Sequence, residues 1–128
     1  MRLLPDTHVL LWAAIAPRRL SDVARDLLVD PANEIAFSAA SIWEIAVKTG
    51  RGRADFRVEP RVVRDALLAN GYAELEITSL HAIEAGTLPL LHGDPFDRML
   101  VAQARLEGTL LLTADRQIAA YPGPIRLV

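Results

Sequence analysis

The sequence predicts an α/β fold: a doubly wound parallel sheet of four to five strands with helices on both faces. Three observations carry this. Short apolar segments at 2–6, 34–37, 73–77 and 109–113 alternate with longer segments of helical spacing. The segment Thr109-Leu110-Leu111-Leu112-Thr113 is apolar throughout its middle, as a strand covered on both faces must be. Carboxylates follow two strands at once, Asp6 after the first and Asp115 after the fourth. In open parallel sheets, ligands bind beyond that carboxyl edge.

The first strand covers 2–6, with Pro5 near its end, where a missing N–H is tolerable. Thr7 opens a helix with Val9, Trp12 and Ala13 at helical spacing, and Pro17 closes it. Ser21-Asp22 caps a second helix running to about Leu28, and Asp30-Pro31-Ala32-Asn33 is a turn. After the strand at 34–37, Ser38 is a cap and a helix continues through Lys48 until Gly50 stops it. A basic, irregular connection follows at 51–59. Pro60 opens a helix to about Asn70, which Gly71 ends. The alternating segment 73–77 is an edge strand, and Ser79 caps a helix to about Gly86.

Asp94-Pro95 then starts the helix around which the chain is organised. Asp94 is the N-cap and Pro95 the first helical residue; Phe96, Leu100, Val101 and Ala104 form its apolar stripe. Gly108 ends it before the strand at 109–113. A short helix after Asp115 runs to Tyr121, Pro122-Gly123-Pro124 turns the chain, and a last short strand spans 125–128. No repeat, low-complexity tract or linker divides the chain, so one domain is expected over 1–128.

Composition narrows the function. The chain has 128 residues, 52% hydrophobic and 23% charged, which is a globular balance. Cysteine is absent, which excludes disulfides and thiolate-bound zinc. Pro5-Asp6 breaks the run begun by Leu3-Leu4, so no secretory signal is expected. No apolar run approaches the roughly 20 residues of a membrane span, and the cytoplasm is the expected compartment. The net charge of −2 argues against a generally basic nucleic-acid coat. The charges are unevenly spread, however. Arg51, Arg53, Arg57, Arg61 and Arg64 fall close together, either as an RNA-facing rim or as a solvated helix face.

The candidate chemistry lies in four carboxylates from four segments: Asp6, Glu44, Asp97 and Asp115. Each has a local explanation. Asp6 and Asp115 can cap the helices that follow them, Asp97 can close a capping box with Asp94, and Glu44 can pair with Lys48 at i,i+4. Local roles give no reason for all four to converge on one sheet edge. A chain holds repelling carboxylates together mainly to bind hard cations. Mg²⁺ or Mn²⁺ there polarises a phosphoryl oxygen and activates an attacking water, which points to phosphodiester hydrolysis. Thr7, Ser41 and Thr113 adjoin the carboxylates and can orient them, and Asp94 is structural or supporting. Neither His8 nor His92 has a metal-ligand partner at a recognisable spacing.

The stretches Asp6-Thr7-His8-Val9-Leu10-Leu11-Trp12, Ser41-Ile42-Trp43-Glu44-Ile45-Ala46-Val47-Lys48, Asp94-Pro95-Phe96-Asp97-Arg98 and Leu112-Thr113-Ala114-Asp115 together resemble the PIN-domain family, and more closely its VapC-type toxins. They stand in family order across nearly the whole chain. The resemblance implies a Mg²⁺- or Mn²⁺-dependent endoribonuclease, usually dimeric, with its acidic set at Asp6, Glu44, Asp97 and Asp115. It also implies a small VapB-like antitoxin whose tail lies across the acidic groove. Arg98, directly after Asp97, braces the site or contacts phosphate; the run with Arg51, Arg53 and Arg57, read from its own residues, either holds RNA or is a solvated face. A housekeeping RNA-maturation nuclease and a non-catalytic RNA- or partner-binding module use the same fold. A phosphoacceptor receiver module needs a Lys after its last strands, whereas the only Lys here is Lys48.

Overall fold

The computed structural model describes residues 1–52 and 57–128. Its centre is a parallel sheet of five strands, β1 (Arg2–Pro5), β2 (Glu34–Ser38), β3 (Ala73–Leu75), β4 (Leu110–Thr113) and β5 (Ile125–Leu127). They lie in the order β3-β2-β1-β4-β5, and every pairing is parallel. β1 is therefore central. The chain winds outward from it to β2 and β3, then returns to place β4 on its other side. Between β1 and β4 the winding reverses, and a crevice opens there at the carboxyl edge.

The helices are α1 (Thr7–Ile15), α2 (Asp22–Val29), α3 (Ala39–Gly50), α4 (Pro60–Ala69), α5 (Ser79–Thr87), α6 (Pro95–Glu107) and α7 (Arg116–Ala119), with a 3₁₀ turn at Pro17–Arg19. Strand side chains alternate between two cores, as the pleat requires. Leu4 and Leu111 point to one face, where Leu100, Val101 and Ala104 of α6 pack with Ile118 and Tyr121. Leu3 and Leu112 point to the other, where Leu27 and Leu28 of α2 join them. Phe37 anchors a further cluster with Leu10, Leu11, Ile45, Val63 and Leu67 on α1, α3 and α4.

One buried polar chain crosses this apolar interior. Ser38 donates to Gln103 Oε1 at 2.5 Å, and Gln103 donates to the Glu76 carbonyl at 3.2 Å. It ties the end of β2 through α6 to the segment after β3. Pairing at a buried site avoids the cost of stranding either group.

The predicted elements are present with shifted ends. β1 stops at Pro5, because Asp6 already caps α1. β3 covers Ala73–Leu75 rather than reaching Ile77. α3 runs through Gly50 and ends at Arg51. The cap of α5 is Thr78, not Ser79: Thr78 Oγ1 accepts from His81 N while His81 Nδ1 accepts from Thr78 N. A His closes this capping box where Glu or Gln is usual. α6 matches the sequence reading: Asp94 Oδ1 accepts from Phe96 N and Asp97 N, and Gly108 ends it at φ 65°. That left-handed conformation suits glycine.

Candidate active site

A groove of about 660 Å³ opens at the carboxyl edge, where the winding reverses. Asp6, Glu44, Asp97 and Asp115 all line it, with Thr7, His8, Trp12, Lys48, His92, Asp94 and Arg116.

Asp6 sits where β1 ends. Its backbone N donates to Leu112 O of β4 at 2.8 Å, so the sheet itself fixes the residue. Oδ1 accepts from Val9 N at 3.0 Å and Oδ2 from Thr113 Oγ1 at 2.6 Å. Asp115 follows β4. Its Oδ1 accepts from Gln117 N at 2.8 Å, and its N donates to Thr113 Oγ1 at 3.0 Å. Thr113 thus links the two aspartates. Both are caps and both face the groove. A helix that starts just after a parallel strand must put its cap at the carboxyl edge, so the two roles coincide.

Glu44 lies on α3, buried. Thr7 Oγ1 donates to its Oε1 at 2.6 Å and lies 3.0 Å from Ser41 Oγ. Its other oxygen is paired with Lys48. The i,i+4 ion pair is therefore present, and the carboxylate lines the groove as well.

Asp97, in the first turn of α6, does not close a capping box. Its Oδ2 lies 2.7 Å from His92 Nε2. This corrects the expectation that His92 has no metal-ligand partner at a recognisable spacing. His92 precedes Asp97 by five residues, a spacing with no regular-structure meaning, and only the fold of the His92-Gly93-Asp94 turn brings the ring back. Among the described residues, the potential ligand atoms of His92, Asp94 and Asp97 all lie within 4.8 Å of one another.

Electrostatics fit a cation site. Burial pushes the Asp97 carboxyl up to about 7, against the His92 hydrogen bond, with Asp94 and Glu44 adding repulsion. Burial likewise raises Asp6, opposed by its bonds from Thr113 and Val9 and assisted by the Glu44 charge. Glu44 therefore bears on both aspartates. Oxygen donors on buried, mutually repelling carboxylates are the donor set a hard divalent cation takes.

The remaining predicted residues fall elsewhere. Ser41 and Thr113 are fully buried behind the groove wall. Arg98 turns away, donating to the carbonyls of Ala85, Leu88 and Pro89 and to Tyr121 Oη. Arg51 and Arg57 are exposed and do not line the groove. Arg53 lies outside the described residues. Trp12 and Arg116, not singled out for the site in the sequence, do line the groove: Trp12 because it lies one turn after His8 on the same face of α1, and Arg116 because it directly follows the cap Asp115.

The model of the PIN domain matches residues 3–124. This chain belongs to the PIN-domain family. It is 32% identical over 120 residues to ribonuclease VapC22 of Mycobacterium tuberculosis, covering 93% of this chain and 91% of that protein. The fold of this PIN domain is that of two solved complexes. One is VapBC2 from Rickettsia felis bound to a promoter DNA fragment, with a TM-score of 0.72 and 16% identity, covering 100% of this chain and 99% of that one. The other is DNA-bound VapBC from Salmonella typhimurium, with a TM-score of 0.69 and 15% identity, covering 98% and 97%. No described helix is long and apolar enough to cross a membrane.

Proposed function

We propose that this PIN domain is an endoribonuclease dependent on Mg²⁺, with Mn²⁺ as a substitute, and the toxin of a toxin–antitoxin pair. It cuts RNA phosphodiester bonds, and so inhibits translation and growth in the cytoplasm. The observation that carries the reading is that Asp6, Glu44, Asp97 and Asp115, brought from four segments, line one groove at the carboxyl edge of the sheet. The kinship with a ribonuclease of the same family, over nearly its full length, supports the choice of substrate.

Asp6, Glu44, Asp97 and Asp115 would hold the ion, which would supply Lewis-acid stabilisation of the phosphoryl group and activation of the attacking water. The protein's own groups do the rest. Thr113 orients Asp6, Thr7 and Ser41 orient Glu44, and Asp94 fixes the turn of helix that carries Asp97. Lys48 and Arg116 bring positive charge to the groove wall, where it opposes the repulsion between carboxylates and RNA phosphates. Arg51, Arg53 and Arg57 hold the flanking RNA backbone. The domain spans 1–128, acts as a homodimer, and is silenced by a small VapB-like antitoxin that carries a basic side chain into the groove.

The test is cleavage of RNA by purified protein freed of any partner. Internal cuts with Mg²⁺ or Mn²⁺, arrested by EDTA and by Asp6→Asn, are expected. Undiminished cutting in EDTA overturns the metal-dependent reading.

A further inference from the structure

The loop that delivers His92 to Asp97 is held from behind. Arg98 Nη2 donates to Ala85 O at 2.8 Å and Leu88 O at 3.0 Å, and Nη1 donates to Pro89 O at 2.9 Å. These carbonyls belong to the last turn of α5 and the chain just beyond it, which guanidinium groups serve well. The same Nη1 donates to Tyr121 Oη at 3.2 Å, and Tyr121 Oη in turn donates to the His92 carbonyl at 2.6 Å. Tyr121 is buried in the core formed by Leu4, Leu100 and Leu111, so its hydroxyl is a fixed post.

These bonds close a ring. From Asp97 the path runs along the backbone to Arg98, through the guanidinium to Tyr121, on to the His92 carbonyl, and through the imidazole back to Asp97. Tyr121 also follows α7, whose cap is Asp115. The ring therefore joins two of the carboxylate-bearing segments at a point outside the groove. Neither Arg98 nor Tyr121 lines the groove.

We propose that Arg98 and Tyr121 are positioning residues that hold the 88–92 loop so that the His92 imidazole stays on Asp97 and aims its free oxygen into the groove. The proposal rests on the nuclease reading only in taking Asp97 as a working carboxylate. Removing the hydroxyl of Tyr121 leaves its ring and the core intact but frees the His92 carbonyl. The imidazole then leaves Asp97 and the carboxylate loses its fixed rotamer. Partners that orient metal ligands in this way commonly govern affinity about 10-fold or more.

The experiment compares wild type, Tyr121→Phe, Arg98→Lys and Arg105→Ala. Arg105 is the control: it also ties α6 to α5 and to the turn before β5, through Glu84 at 2.8 Å and Pro122 O at 2.7 Å, but does not touch the loop. Two readouts are taken. One is ¹H–¹⁵N NMR of the His92 ring in metal-free protein; the other is Mn²⁺ affinity by electron paramagnetic resonance. Tyr121→Phe is expected to lose the hydrogen-bonded Nε2 signature and to bind Mn²⁺ about 10-fold more weakly. Arg98→Lys is expected to do the same, because one ammonium cannot serve four oxygens. Arg105→Ala is expected to change neither. Wild-type ring signals in Tyr121→Phe, or an equal change in Arg105→Ala, overturn the proposal. If wild type binds no Mn²⁺, the metal-dependent reading falls, and the ring signals alone decide the role of the clamp.

Discussion

Replacing Asp97 with Asn tests the cost of the acidic cluster. In the folded protein the Asp97 carboxyl is raised from 3.8 to about 7, mainly by burial. The native state therefore binds a proton that the unfolded chain has released, over the interval from about pH 4 to pH 7. Wild-type stability falls as pH rises through this window, and the whole cost is present above pH 7. Converted at 1.36 kcal/mol per pH unit, the shift corresponds to about 4 kcal/mol as an upper bound. The side chain is 14% exposed, and solvent and relaxation screen the charge, so about 2 kcal/mol is the working figure. Asn carries no charge and can still hydrogen-bond His92. In EDTA at pH 8, Asp97→Asn is expected to be more stable than wild type by about 2 kcal/mol, or roughly 6–10 °C in Tm for a chain of this size. At pH 4 the difference is expected to vanish, because Asp97 is then protonated in the folded state. Mg²⁺ at pH 8 is expected to raise the Tm of wild type more than that of the variant, by mass action. The assay is a thermal melt of both proteins across pH, with and without Mg²⁺. If wild type in EDTA at pH 8 is the more stable protein, or if the difference does not depend on pH, the carboxylate is not held at a cost and the reasoning fails.

Three further outcomes follow from the same geometry. Thr113→Val breaks the link between Asp6 and Asp115, and RNA cleavage under single-turnover conditions is expected to slow about 10- to 100-fold. Gln103→Leu removes the acceptor of the buried Ser38 O–H, which keeps only its bond from Ala40 N, and urea unfolding should report a loss of about 1–3 kcal/mol with the denaturant slope unchanged. Replacing Arg51 and Arg57 with Ala is expected to flatten the salt dependence of RNA binding, by about 0.7 in log–log slope for each phosphate no longer neutralised, without moving the cut sites; an unchanged slope makes them solvated surface residues.

What the sequence determined is what local physics controls. The alternation of strand and helix, the Asp94-Pro95 start of α6 and its Gly108 stop all follow from periodicity, capping and φ preferences acting within a few residues. Asp6 and Asp115 were legible because both follow strands directly, and a parallel sheet sends all such residues to one edge; Glu44 and Asp97 reach the same groove from α3 and α6. The cap and groove roles of Asp6 and Asp115 looked like rival readings in the sequence; in the structure they are one position. The tertiary structure alone decided the strand order, because long-range pairing sets which strands become neighbours of β1. It also decided the partners. His92 meets Asp97 through an irregular turn, and Arg98, one residue after Asp97, points to a different side of α6 and grips carbonyls 9 to 13 residues earlier. Adjacent helical residues lie about 100° apart, so neighbours in sequence face different surroundings. Which surroundings they meet depends on loops that carry no periodic signal, and on hydrogen bonds whose partners are chosen only when the chain has closed.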